Sequence, residues 1–403
     1  MSDSIKAKGP LSGIRVVDLT SVVFGPYATQ IMADMGAEVI KVEPPAGDNT
    51  RWISAGPSEG MGGVYVNVNR GKRSLLLDLR RDEDKDVLRR LIATANVFIH
   101  SMRAKAIARL GFDYDAVKAI RPDIVYTNCY GYSRRGPEAD QPAYDDTIQA
   151  EVGITHVQNL INGEPGFVGT IMADKVAGQM AVHAILAALF QRERTGWGQT
   201  VEVPMFEAVT SFVLVEHLYG GHWQPSQTDR PDSVAELGYP RLFAAWRRPY
   251  RTADGYACVM PYTNENWRRF FQAIDRQDLS DDPRFQSIAG RTEHVQELLR
   301  LVGSIVVSEP TEYWLSLCRE LDIPCSAVNR LEDLEADPHL RAVGFFQSLP
   351  LCDGEFRFPR CALRLSDSHV VPRPPPRLGE HSEEVLSSLD LPETVLAEIL
   401  LRP

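Results

Sequence analysis

Apolar residues in the first 205 positions fall into short runs separated by stretches with helical spacing. Ile14 to Asp18, Glu38 to Glu43, Ser74 to Leu79, Asn96 to His100 and Ile124 to Asn128 read as strands. Between the first two, Pro26 can open a helix, Tyr27, Ile31 and Met35 lie along one face, and Gly36 supplies the stop. Another helix is expected around Asp84 to Thr94. Strands alternating with helices predict a parallel sheet with helices on its faces, so the fold class is α/β with a Rossmann-like large domain.

From Asp174 to Arg194 the pattern predicts a long helix, whose stretch from Met180 to Phe190 is apolar almost all round. That is the mark of a helix buried on every side. Ala177, Gly178, Ala181, Ala184 and Ala188 permit close packing, and Gly196 caps the end behind Arg192 and Arg194. A strand at Gln199 to Val203 and a helix from Met205 to Leu218 follow. Between Tyr219 and Pro240 the composition turns to Gly, Pro, Ser, Asp and Gln, which reads as a crossing linker. Beyond it, a strand pair turns at Asp254-Gly255, and helices at Trp267 to Ile274, Glu293 to Val307 and Thr311 to Leu321 make a smaller α/β domain. After Asp337-Pro338 come short strands, the rigid Pro372 to Pro376 run and a final helix near Glu383 to Leu400. The expected domains are therefore 1–218, a linker and small domain over 219–335, and a segment 336–403 returning to the large domain.

The 403 residues suffice for more than one core, and a net charge of −11 repels phosphate backbones, so nucleic acid is not an expected partner. The apolar stretch from Met172 to Phe190 contains Asp174, Lys175, Gln179 and His183, which disqualifies it as a membrane span. The opening MSDSIKAKGP lacks the apolar core of a secretory signal, and the expected location is cytoplasmic. The cysteines, Cys129, Cys258, Cys318, Cys325, Cys352 and Cys361, form no C-x-x-C pair. No metal site is expected, and most of them read as reduced core residues.

Glu43 ends the second strand where an acid could meet a ribose, but the first turn, Thr20-Ser21-Val22-Val23-Phe24-Gly25-Pro26, has no G-x-G-x-x-G. Nicotinamide binding is disfavoured accordingly. Asp174 stands at the start of the long helix, where free amides and the helix dipole favour an anion, so it is expected to stay ionised. Two roles fit that position: an ordinary N-terminal helix acid, or a carboxylate nucleophile in a site that excludes water. Tyr144-Asp145-Asp146 opens another helix; the tyrosine either belongs to a cap or positions a reacting carbonyl. Arg70, Lys72, Arg73, Arg80, Arg103, Lys105 and Arg109 cluster near strand ends, where they form either a phosphate site or a solvated face. His183 reads as a satisfied core residue and His381 as part of a turn or helix start.

Beyond these local readings, the chain resembles the family III CoA-transferases. The resemblance rests on Gly13-Ile14-Arg15-Val16-Val17-Asp18-Leu19, Gly25-Pro26, Gly36 through Asp48, Asn69-Arg70-Gly71-Lys72-Arg73-Ser74 and Leu110-Gly111-Phe112-Asp113-Tyr114. It continues through Tyr144-Asp145, Asp174 with Gly178, Arg192 through Gln199, Asp322-Ile323-Pro324-Cys325 and Leu378-Gly379-Glu380-His381. The resemblance implies an interlocked, ring-like homodimer that moves CoA from an acyl-CoA to a carboxylic acid. Asp174 would be the nucleophile, passing through anhydride and aspartyl-CoA thioester intermediates, with Tyr144 beside it.

It also implies coenzyme A held by Val23, Phe24, Leu77, Asp78, Arg80, Ser101, Met102, Arg103 and Arg109, with no metal or redox cofactor. The chain departs from the formyl-CoA transferases at Pro44, Pro142 and Ser101-Met102, and has only Gly220-Gly221 and Gly238 where they carry a glycine-rich shielding loop. Formate and oxalate are disfavoured as substrates on that ground. The α-methylacyl-CoA racemases are also similar but place a histidine base where Tyr144 stands, which favours transfer over racemisation. A CoA-binding protein without catalysis is the reading from another class.

Overall fold

The computed structural model describes residues 9–222, 237–351, 354–392, 396 and 399. They form two compact units, a larger one from the described residues of 1–153, 167–213 and 344–403 and a smaller one from those of 154–166 and 214–343. The larger unit begins β1 (Arg15–Leu19), α1 (Phe24–Asp34), β2 (Glu38–Glu43), α2 (Gly63–Asn69), β3 (Arg73–Leu76) and α3 (Asp82–Ala93). It continues with β4 (Val97–His100), α4 (Ala104–Leu110), α5 (Tyr114–Ile120), β5 (Val125–Tyr130) and α6 (Asp145–Glu151). After α7 (Ile154–Asn162), part of the smaller unit, come α8 (Ala173–Thr195), β6 (Gln199–Pro204) and α9 (Met205–His217).

Six strands form one sheet in the order β3-β2-β1-β4-β5-β6, every neighbouring pair parallel. Val17 pairs with Ile40 on one side and Phe98 on the other. Such a sheet is covered on both faces, which is why β4 and β5 are buried at every residue. On α3, Val87, Leu88, Leu91 and Ile92 face a core that includes Ile40, Leu75 and Phe98, while Asp82, Glu83 and Asp84 occupy the positive end of its dipole. The order reverses between β1 and β4, and the crevice at that switch point is where open α/β sheets take ligands.

The smaller unit carries β7 (Tyr250–Arg251), β8 (Tyr256–Val259), α10 (Asn264–Ala273), α11 (Gln277–Asp281), α12 (Pro283–Gln286), α13 (Ile288–Glu293) and α14 (Val295–Val306). Then follow α15 (Thr311–Glu320), β9 (Cys325–Ala327) and α16 (Pro338–Ala342). β8 lies between β7 and β9 in an antiparallel sheet. Trp267, Phe270, Phe271 and Trp314 fill its core. The chain ends with the hairpin β10 (Phe346–Leu351) and β11 (Gly354–Pro359) and with α17 (Ser382–Ser387), which belong to the larger unit. His381 donates its N–H to the Ser74 carbonyl at 3.0 Å, and Ser382 Oγ accepts the Leu76 N–H at 3.1 Å, tying α17 to the edge strand β3.

Several expectations are corrected. α8 is not buried on every side: Ala177, Gly178, Ala181 and Ile185 are buried, whereas Met180, His183 and Phe190 are exposed. His183 is therefore not a core residue. The helix expected from Glu293 to Val307 is present as α14 over Val295–Val306, with Glu293 ending the short helix before it. The third strand stops at Leu76; of the last predicted helix, α17 covers Ser382–Ser387, Leu396 and Ile399 are helical, and most positions from 393 on lie outside the described residues. Only Cys129 and Cys318 are buried among the described cysteines; Cys258 is exposed, and Cys352 lies outside the described residues. So do residues 223–236 of the predicted linker. No helix among the described residues is long and apolar enough to cross a membrane.

Candidate functional site

At the switch point the turn after β1 meets the end of β4, and the Ser101 hydroxyl accepts the Ser21 N–H at 3.2 Å. The turn itself is tight. A Cβ on Gly25 would stand 2.3 Å from the Thr20 side chain, and Val22, a β-branched residue, sits in the left-handed region at φ 69°. That conformation costs about 1–3 kcal/mol and persists only where its surroundings impose it. Here Asp48 Oδ1 accepts the Val22 N–H at 3.3 Å and the Thr50 N–H at 2.9 Å, while Lys41 Nζ bridges Asp48 Oδ2 at 2.9 Å and the Thr20 carbonyl at 2.8 Å.

A cavity of about 230 Å³ opens above this turn, and Val22, Phe24, Ser101, Arg103, Tyr144 and Asp174 are among the residues that line it. Asp174 reaches it because α8 packs closely on α1. A Cβ on Gly178 would come within 2.9 Å of the Phe24 carbonyl oxygen, so glycine there lets the two helix backbones approach. Asp145 caps α8 from the other side: its Oδ1 accepts the Asp174 N–H at 3.1 Å and its Oδ2 the Gln149 side-chain amide at 2.5 Å. Gln149 in turn accepts the Val168 N–H at 2.9 Å through Oε1.

Asp174 is 8% exposed, and among the described residues no donor meets its carboxylate. Burial, and secondarily the neighbouring Asp145 charge, raise its pKa to about 7. This corrects the expectation of a permanently ionised acid: desolvation and a like charge outweigh the helix dipole. The Cys129 thiol on the cavity wall is pushed up by burial and stays protonated, which disarms it as a nucleophile. Ser21 and Ser101 have no histidine among the described residues lining the cavity to serve as their base. Asp174 is the one carboxylate among the described residues that line the cavity.

The structure thus brings Phe24, Ser101, Arg103, Tyr144 and Asp174 to one cavity. Tyr144 is 65% exposed at the start of α6. Arg103 is exposed and makes no ion pair among the described residues, so its guanidinium is available to an anion. The other residues expected around coenzyme A do not line the cavity. Val23 and Leu77 are buried, Met102 packs against the core of the larger unit, Asp78 holds Arg80 through both carboxylate oxygens at 2.8 Å, and Arg109 Nε donates to the Lys105 carbonyl at 3.3 Å.

The basic cluster is largely spent inside the fold. Lys72 Nζ is buried and donates to Asp18 Oδ2 at 3.2 Å, the Pro26 carbonyl at 2.9 Å and Asn69 Oδ1 at 2.8 Å. Arg70 pairs with Asp34 and Arg73 with Glu38. These three hold the sheet edge together and are not a phosphate site. Glu43 is also committed, accepting from Arg51 and from the Ser74 hydroxyl, which leaves nothing for a ribose. Among the described residues no group of three or more His, Cys, Asp or Glu side chains could hold a metal ion.

The family model described as CoA-transferase family III matches residues 11–382. The succinate–glutarate CoA-transferase of Agrobacterium fabrum is 32% identical over 407 residues, covering 97% of this chain and 98% of the relative. The succinyl-CoA:glutarate CoA-transferase of Homo sapiens is 28% identical over 388 residues, covering 94% and 86%. Among solved structures, a CAIB/BAIF family protein from Brucella suis superposes with a TM-score of 0.78 at 29% identity, covering 95% of this chain and all of that one.

Proposed function

The chain belongs to CoA-transferase family III, whose members exchange coenzyme A between acyl-CoA thioesters and carboxylates, and on that premise we propose that Asp174 carries the transfer covalently. Its ionised carboxylate attacks the thioester carbonyl of the donor, forming a mixed anhydride and expelling CoA thiolate. The thiolate attacks the aspartyl carbonyl, the donor acid leaves, and an aspartyl-CoA thioester remains. The acceptor carboxylate attacks that thioester, giving a second anhydride and thiolate again. The thiolate closes on the acceptor acyl carbonyl, and the Asp174 carboxylate is regenerated.

The observation that carries this reading is the environment of Asp174: nearly buried, without a counterion among the described residues, its pKa raised to about 7. A carboxylate with a raised pKa is the better nucleophile, and at neutral pH about half the population is ionised. Burial serves the intermediates as well, since anhydrides and thioesters are lost to water. Arg103 would meet the anionic phosphates of coenzyme A, with Phe24 and Ser101 along the pantetheine arm; that these three line one cavity supports this. Val23 and Leu77 would meet the ligand only through backbone atoms, because their side chains are buried. Tyr144, on the same cavity wall, would orient the reacting carbonyl.

The names of the relatives favour short dicarboxylates as the acceptor class, with a dicarboxylyl-CoA as donor. The active form would be the interlocked homodimer in the cytoplasm. Met180 and Phe190 on α8 and Phe212 on α9 are exposed apolar side chains among the described residues, and a second copy would cover them. The test is transfer from succinyl-CoA to glutarate by the wild type and by Asp174→Ala. The variant should lose at least about a thousandfold in kcat while binding CoA as before. Retained turnover would remove Asp174 from the mechanism.

A further inference from the structure

The smaller unit has a cavity of its own, about 260 Å³, with an unusual charge balance. Four arginines line it, Arg241, Arg247, Arg248 and Arg291, and no acidic residue among the described ones does. In a chain with a net charge of −11 this is a local reversal of sign. Arg291 is the most telling member. It is 3% exposed, yet among the described residues its guanidinium donates to neutral acceptors alone, the Phe285 carbonyl at 2.7 Å and Asn264 Oδ1 at 2.6 Å. Burial and the neighbouring Arg241 charge both lower its pKa, the sign of a cation without its counterion. A buried unpaired charge is costly, and an anion bound in the cavity offsets that cost.

The rest of the wall sets the shape of that anion. Arg248 stacks over the Trp246 ring at 4.5 Å, which fixes the guanidinium plane and leaves its N–H edge for a planar acceptor. Val259, Val295, Leu298 and Leu299 give the cavity an apolar wall that would not favour a bare inorganic ion. We propose that the smaller unit binds a small aliphatic carboxylate here, its anionic end on the arginines and its hydrocarbon body on the valine and leucine wall. This site lies wholly within the smaller unit, and the proposal concerns equilibrium binding without coenzyme A, independent of the chemistry at Asp174.

The test is calorimetric titration of the full chain with glutarate in the absence of CoA, in parallel with inorganic phosphate and adenosine 3′,5′-bisphosphate. Glutarate should bind saturably, and more tightly than inorganic phosphate or the nucleotide. Asp174→Ala should leave this binding intact. Arg241→Gln combined with Arg248→Gln should weaken it at least tenfold, with an unchanged circular dichroism spectrum showing that the variant folds. Leu298→Ala, which keeps every arginine, should weaken glutarate binding while leaving phosphate binding unchanged. No saturable binding at tens of millimolar glutarate, binding insensitive to the arginine substitutions, or tighter binding of phosphate or the nucleotide would each overturn the proposal.

Discussion

Asp145 accepts the backbone N–H of Asp174 at 3.1 Å, so one acid caps the helix that carries the other and adds its charge to the second acid's surroundings. In Asp145→Asn the amide oxygen still accepts the Asp174 N–H while the charge is gone, and the bond from the Gln149 side-chain amide is lost. The acid limb of kcat/KM, set near pH 7 by Asp174 in the wild type, should move to lower pH. The ratio of activity at pH 5.5 to that at pH 8 should therefore rise. An unmoved limb in a folded variant would mean that Asp145 acts by position alone.

Stability should follow the same group with the opposite sign from an ion-paired acid. The folded state holds the Asp174 proton up to about pH 7, while the unfolded chain releases it near 3.8. Between those values the native state binds more protons, so stability falls as pH rises and levels off above pH 7. Asp174→Asn removes that loss. It should raise stability at pH 8 by on the order of a few kcal/mol, and the thermal midpoint with it, and leave both unchanged below pH 4. Equal midpoints for variant and wild type at pH 8 would show that ionised Asp174 is not strained by its surroundings.

Arg103 lines the cavity without an ion pair among the described residues, and its loss should be felt in binding before chemistry. Arg103→Ala should raise KM for the acyl-CoA about tenfold with little change in kcat. The wild-type KM should also rise with salt, and that dependence should shrink in the variant. A fall in kcat at unchanged KM would place the guanidinium at the reacting centre instead.

Local pattern made much of the fold readable. β2 runs over Glu38–Glu43 as expected, and α8 ends at the Gly196 cap. The place of Asp174 in the first turn of α8 was legible too, because the start of a helix is a local feature. What escaped depends on partners distant in sequence. Lys72 finds Asp18, fifty-four positions away, so a basic residue beside a strand becomes a buried tie instead of a ligand for phosphate. The raised pKa of Asp174 needs Asp145, twenty-nine positions earlier, and a depth of burial that no local pattern reports. The left-handed Val22 is held by Asp48 and has no glycine to announce it. For α8, hydrophobicity all round shows that both faces avoid water but not whether this chain or another covers each.

The covalent role of Asp174 is tested most directly by trapping the intermediate. The enzyme is mixed with succinyl-CoA and hydroxylamine without acceptor, digested, and its peptides weighed. A hydroxamate at Asp174, formed only when donor is present and absent from Asp174→Asn, is the predicted result. Full transfer activity in untrapped enzyme, together with an unmodified Asp174 peptide and a modification elsewhere in the cavity, would contradict the account.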